Sequence, residues 1–336
     1  MPIKYPFEQL PEPGMAEEVA EGVRWLRMPL PFALDHINLW LVRDGSRWTA
    51  VDTGIALDNV KDCWRRLLTT YPLARQIVTH CHPDHIGLAG WLEHEAGAPL
   101  WITQGEYLSA QMICEQIGSY ALPAMLALFR QHGLDDERAS ALTQRGNAYK
   151  RVLSGVPATY QRLIDDQSIV IGGHQWRVIA GYGHSPEHAA LHCAELNLLI
   201  SGDMLLPRIT TNVSANAPNP DGNPLGLFLD SIARFKQLPP DTLVLPSHGK
   251  PFRGLHARVA QLEKHHQARL EELLAAIGEP SSAAELMPVL FTRPLADAHQ
   301  VMFAMGETIA HLNYLEHARR IERTNDNGIH RFVKLH

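Results

Sequence analysis

Thr79-His80-Cys81-His82-Pro83-Asp84-His85-Ile86-Gly87 sets four metal-type side chains, His80, His82, Asp84 and His85, into a single short run. Imidazole nitrogen and carboxylate oxygen suit borderline divalent ions such as zinc, and also iron or manganese. Donors this close in one loop cannot all face one tetrahedral ion. The spacing therefore splits them, His80 and His82 to one metal and Asp84 and His85 to its neighbour. Each ion then needs donors from elsewhere in the chain.

Reading outward, other short apolar runs end on the same kind of residue. Residues 76–79 lead into the histidine run, and residues 197–201 lead into Gly202-Asp203. Residues 242–246 end at Ser247-His248-Gly249, and Ala180 is followed by Gly181-Tyr182-Gly183-His184-Ser185-Pro186-Glu187-His188. In α/β proteins ligands gather where strand C-termini converge on one rim. His184, Asp203 and His248 are thus the natural further donors, with Asp203 placed to bridge. Upstream, residues 22–28, 36–42 and 48–54 read as strands, the last running into the glycine of Val51-Asp52-Thr53-Gly54. Residues 58–71 predict a helix with Val60, Cys63, Trp64 and Leu67 on one face. Strand, loop, helix and strand in this order indicate an α/β sandwich.

Such a centre points to hydrolysis. A metal-bound water has its pKa lowered from about 15.7 to about 7, so a hydroxide bridging two ions exists at neutral pH. No serine or cysteine nucleophile is needed. Cys81 lies between ligands, but neighbouring loop side chains diverge, so it reads as non-ligating. With 19 histidines in the chain, position decides more than number. His94, His132, His192, His265 and His299 carry no such pattern and read as ordinary core or surface residues.

At 336 residues the chain can form one large domain and a smaller one. A net charge of -6 argues against a protein that grips nucleic acid over its whole surface. Cys63, Cys81, Cys114 and Cys193 are scattered with no C-x-x-C pair, which suits a reducing cytoplasm rather than a disulfide framework. The acidic, proline-bearing N-terminus has no apolar core of a signal peptide, and no run reaches membrane-span length. A soluble cytoplasmic enzyme is expected.

Two stretches depart from the sandwich pattern. Residues 105–165, with helical periodicity over 107–117 and 123–132, read as an inserted helical cap within a catalytic domain covering residues 1–254. Residues 255–336 read as a second domain. Here a long apolar stripe from Leu255 to Ile277 stops at Gly278 and Pro280, and Ser282 to Glu285 has capping-box spacing. A further helix is expected over 305–321, then a hairpin turning at Asn327-Gly328. Helices closed by a two-stranded wing suggest a winged-helix-like module.

Thr79 to Gly87, with Val51-Asp52-Thr53-Gly54, Gly183-His184, Gly202-Asp203 and Ser247-His248-Gly249 in that order, resembles the motif set of the metallo-β-lactamase superfamily. The resemblance runs from about residue 20 to residue 252. It implies a four-layer αββα sandwich with two divalent metals, zinc first among the choices. It also implies His80, His82 and His184 on the first ion, Asp84, His85 and His248 on the second, and Asp203 between them. Asp52 would stand behind the ligands and orient one of them, so Asp84 and Asp52 are the candidate catalytic carboxylates. His188 is a second candidate for such a supporting place. The lactamase-type cysteine ligand would fall at Asp203, which argues for a hydrolysis other than that of β-lactams. The tail, with His265-His266 and His311-Leu312-Asn313-Tyr314-Leu315, is similar to the β-lactamase-like protein 2 branch, some members of which act on RNA.

Two readings follow. In the first, a thioester, ester or lactone is hydrolysed in a pocket formed by the insertion, glyoxalase II-like cleavage being one version. A homoserine-lactonase version is weakened because Met204-Leu205-Leu206-Pro207, without tyrosine, follows Asp203. In the second, a nuclease or phosphodiesterase acts on RNA through the C-terminal domain, where Arg319, Arg320, Arg323, Arg331 and Lys334 outnumber the acids. The expected partners are a small-molecule substrate, no membrane, and a second copy of the chain in a homodimer, with nucleic acid the less favoured.

Overall fold

The computed structural model describes residues 2–335. In chain order the elements are β1 (Ala16–Ala20), β2 (Val23–Pro29), β3 (His36–Asp44), β4 (Arg47–Val51), α1 (Asp58–Leu68), β5 (Leu73–Ile77), α2 (Pro83–Ile86), α3 (Ala89–Ala96) and β6 (Leu100–Thr103). Next come α4 (Gln104–Cys114), α5 (Leu122–Gln131), α6 (Asp136–Gln144), α7 (Ala148–Arg151), β7 (Gln161–Leu163), β8 (Ser168–Ile171), β9 (His174–Gly181), β10 (His188–Cys193) and β11 (Leu198–Gly202). The chain closes with α8 (Pro224–Arg234), β12 (Leu243–Pro246), α9 (Leu255–Ala276), α10 (Ala283–Leu290), α11 (Ala298–His317), β13 (Ile321–Asp326) and β14 (Ile329–Lys334). It divides into two compact units. One holds the described residues through Gln111 with Tyr149–Thr211 and Ser231–Val259; the other holds Met112–Ala148, Asn212–Asp230 and the described residues from Ala260.

The first unit is built on two sheets. One runs β1 to β7 in sequence order, antiparallel as far as β4 and parallel from β4 to β7. The other has the order β12-β11-β10-β9-β8, antiparallel except for the β11–β12 pair. Side-chain alternation explains why they stack. On β2, Val23 and Trp25 face a core shared with Trp176, Leu191, Ile200 and Leu245 of the second sheet. Leu26 and Met28 face the opposite way, onto Val60, Cys63, Trp64 and Leu67 of α1 and Leu92 of α3. These are the four α1 residues that helical periodicity selects. Behind the second sheet, Arg234 at the end of α8 donates to the Ala180 carbonyl at 2.7 Å and to both Asp165 oxygens at 3.0 Å. The sheets are therefore flanked by helices, a mixed α/β arrangement.

Residues expected to form the insertion are helical from Gln104 to Arg151, after which β7 pairs in parallel with β6. A three-residue strand with one apolar side chain carries no periodic signal, which is why β7 escapes a sequence reading.

In the second unit, α10 opens with the expected capping box, Ser282 and Glu285 each serving the other's backbone. The last helix starts at Ala298 rather than at residue 305, because Asp297 caps it by accepting from the Gln300 N–H. It ends at His317, short of residue 321, and Arg319 takes a φ of 54° just beyond. Asn327 and Gly328 adopt φ values of 52° and 84°, the conformation that a tight two-residue hairpin requires. The arginines that give this tail its positive excess are largely paired within the unit. Arg323 bonds Asp221 and Glu316 at 2.7 and 2.8 Å, Arg331 bonds Glu285 at 2.5 Å, and Arg320 lies 3.6 Å from Glu271. Among the described residues no helix is long and apolar enough to cross a membrane.

Candidate metal centre

Five strands of the first unit, β4, β5, β9, β11 and β12, end in loops that bring Asp52, His80 to His85, His184, Asp203 and His248 together. His80 Nε2 lies 2.8 Å from His82 Nδ1 and 3.2 Å from His184 Nε2, one cluster of three nitrogens. A second cluster forms around Asp84, whose Oδ2 lies 3.7 Å from His85 Nε2 and 3.5 Å from His248 Nε2. Asp203 stands between them. Its Oδ1 is 3.6 Å from His85 Nε2 and 3.5 Å from His248 Nε2, while Oδ2 is 3.6 Å from His184 Nε2. Each trio is compact enough to share one ion, as is a third grouping of His80, His85 and Asp203. The last overlaps both others, and the two oxygens of Asp203 facing opposite ways favour the two-cluster division.

The donor set fits a pair of divalent cations. His85 Nε2 and Asp203 Oδ1 are buried with no hydrogen-bond partner in the protein, a cost that a shared cation removes. Electrostatics divides these donors into two kinds. Burial alone would raise the Asp84 carboxyl, but His85 and His248 beside it hold it at about 2. Burial works against charge on His248, yet Asp203 and Asp84 raise it to about 10. His82 goes the other way, down to about 3, through burial and the neighbouring His184. Burial, with His85 and His82, likewise keeps His80 well below the imidazole range. A neutral imidazole is the form that binds a metal.

Asp52 fixes the arrangement from behind. Its carboxylate accepts the Thr79 N–H at 2.7 Å and the Thr79 hydroxyl at 2.9 Å, and lies 2.7 Å from His85 Nδ1. With Nδ1 engaged there, Nε2 of His85 faces the cluster. Asp52 holds a left-handed φ of 63°, a strained state for a residue with a Cβ. His188, fully buried, accepts the Asp203 N–H on Nε2 at 3.1 Å. Between them Gly202 has a φ of 53°, and a Cβ there would come within 2.2 Å of His188 Nε2. Only glycine lets the chain turn so close to that ring.

Cys81 belongs to none of these groupings among the described residues. Its N–H donates to Glu106 at 2.8 Å, its carbonyl accepts from the Tyr149 hydroxyl at 2.6 Å, and burial with Glu106 nearby raises the thiol well above its usual range.

Several supporting residues lie outside the motifs. Glu106, fully buried, also accepts the Ser185 hydroxyl and the Glu187 N–H, each at 2.6 Å. One carboxylate thereby joins the loop of His80 to the loop of His184. Asn38 donates to the Pro246 and Gly249 carbonyls at 2.8 and 2.7 Å, and is itself held by the Trp25 N–H. The His36 carbonyl lies 2.9 Å from His248 Nδ1, and Nε2 of the same residue accepts the Gly249 N–H. The one available hint was a polar residue, Asn38, inside an otherwise apolar strand.

Comparison with known proteins addresses the family rather than the ligands. The family model described as "Metallo-beta-lactamase superfamily" matches residues 33–248, and "Metallo-beta-lactamase-like, C-terminal domain" matches residues 270–335. The probable metallo-hydrolase YqjP of Bacillus subtilis (strain 168) is 25% identical over 312 residues, 88% of this chain and 92% of the relative. Among solved structures, a beta-lactamase domain protein from Burkholderia ambifaria is 46% identical, with a TM-score of 0.92 over 99% of this chain and 98% of its own. A metallo-beta-lactamase family protein from Thermus thermophilus is 28% identical, with a TM-score of 0.82 over 95% of this chain and 100% of its own.

Proposed function

The chain belongs to the metallo-beta-lactamase superfamily, and from that premise we propose a binuclear hydrolase of small carbonyl substrates: thioesters, esters or lactones. The observation that carries the reading is Asp203, with one oxygen toward His85 and His248 and the other toward His184. His80, His82 and His184 would hold one divalent ion and Asp84, His85 and His248 the other, with Asp203 shared. The nitrogen and oxygen donors suit zinc, and iron or manganese would find the same ligands. When bound, such a pair supplies Lewis acidity that lowers the pKa of water and polarises a carbonyl.

The chain's own residues do the rest. Asp52 orients His85, and His188 fixes the backbone that carries Asp203. Asp84, kept ionised by His85 and His248 beside it, is the carboxylate we assign to the attacking water, which it would orient by accepting a hydrogen bond. Aspartate rather than cysteine at position 203 supports a substrate other than a β-lactam. The RNA reading loses support from the tail, whose arginines largely meet acids of their own unit.

Metal-loaded enzyme screened against acyl-thioesters, lactones and aryl esters tests the proposal. Turnover well above that of free metal is expected for at least one class. Rates no better than free metal across all of them would refute it.

A further inference from the structure

Within the first unit a cavity of about 280 Å³ opens beside His248. None of its ten lining residues is acidic, although the whole chain has 36 acids against 30 lysines and arginines. Two of them are cations, Arg208 and Lys250. Among the described residues neither has a carboxylate at ion-pair distance. The Arg208 guanidinium lies 5.4 Å from the Tyr5 ring centre, and the Lys250 ammonium donates to the Glu8 backbone carbonyl at 2.5 Å. Other arginines of the unit are answered by acids, Arg75 by Asp44 and Arg234 by Asp165.

The cations are held in place. Buried Arg258 donates to the Leu206 and Ile209 carbonyls at 2.6 and 2.7 Å, which fixes the loop carrying Arg208. Lys250 follows Gly249, whose N–H is bound by His36. The other part of the wall is apolar, and Ile209 there is 46% exposed, an open hydrocarbon surface beside two unanswered charges. A cation against apolar surface gains most from an anion that also carries hydrocarbon.

Resting on the hydrolase reading above, we propose that the substrate is an anionic amphiphile: a carboxylate or phosphate meets Arg208 and Lys250, its hydrocarbon lies against Ile209 and Leu34, and its scissile carbonyl reaches the His248 side of the centre. Hydrolysis adds one water across the acyl bond and releases the acid with the alcohol or thiol, so no other reactant is consumed. Arg208 and Lys250 are specificity residues and take no part in the bond change.

Three hexanoyl thioesters that differ only in the thiol arm, ending in a carboxylate, a phosphate or a neutral N-acetylamine, test this with the metal-loaded enzyme. At least one anionic arm should exceed the neutral one about tenfold in kcat/KM, chiefly through KM, and lose that lead between about 50 and 500 mM salt. Whichever anion leads identifies the headgroup. In Arg208→Gln/Lys250→Gln enzyme the ratio of anionic to neutral rates should fall to about one. Equal rates on all three arms in the native enzyme, or a ratio that survives the double substitution, would overturn the proposal. If no thioester is cleaved, the hydrolase reading is at fault, and the pocket is judged by binding. Ligand-observed NMR with hexanesulfonate and hexanol should then show the sulfonate bound about tenfold more tightly, an advantage the double variant loses. Equal affinities would remove the anion site.

Discussion

His85 Nδ1 and Asp52 Oδ2 lie 2.7 Å apart in a site closed to solvent, so the ring that faces the metal cluster is aimed by a carboxylate from the turn after β4. Asp52→Asn keeps the size of that side chain and its tolerance of a left-handed backbone but removes its charge. Metal affinity should fall about tenfold to a hundredfold, as it does when a carboxylate behind a metal-bound histidine is lost. Zinc competition against a chromophoric chelator measures this. An unchanged affinity would show that Asp52 only braces the backbone.

Asp203→Ala removes an oxygen from both clusters at once. On the two-ion reading, metal content should drop from two ions per chain toward one or none, and turnover should be abolished. His80→Ala should behave similarly, through loss of one nitrogen from the first cluster. Elemental analysis beside kinetics gives the answer, and substantial activity in Asp203→Ala would refute the bridging assignment.

Glu106 accepts three hydrogen bonds from two loops without itself facing the cluster. Glu106→Ala would leave the Cys81 and Glu187 N–H groups buried without partners, at a cost of about 3–5 kcal/mol. The melting temperature should fall steeply even when metal is supplied in excess. A stable variant that lost only metal affinity would count against this bracing role.

Glu307 lies in α11, far along the chain from the metal motifs. Burial raises its carboxyl to about 7, although the Asn212 amide donates to it at 2.8 Å. The unfolded chain gives up this proton near pH 4.5, whereas the folded chain keeps it until about 7. Stability should therefore decline as pH rises through that window, by about 3 kcal/mol at most. Glu307→Gln removes the decline. Its melting temperature should match the native protein near pH 4.5 and exceed it at about pH 8. A gap that does not change with pH would contradict the assignment.

The parts of the fold legible in the sequence are those where chemistry and periodicity coincide. The α1 face, the Ser282 capping box and the Asn327-Gly328 turn are local, since each is decided by residues within a turn or two. The metal-type donors stood out because histidine and aspartate at strand ends have few competing explanations. Glu106 and Asn38 did not, because each bonds backbone groups contributed by distant chain. Asn38 reaches Pro246, and nothing in either segment announces the other. The start of α11 was missed for a different reason: Asp297 caps the helix in a stretch whose apolar spacing is weak.

Parallel pairing of β11 with β12 sets Leu198 opposite Leu243 and Ile200 opposite Leu245. Asp203 and His248 meet only when β12, an edge strand, has docked after a long excursion of the chain. A ribosome must therefore deliver the chain through His248 before the second cluster has all its donors. On the two-ion reading, filling of the second cluster would be one of the last events of maturation, and its occupancy, rather than that of the first, would report the molecules whose sheet has closed.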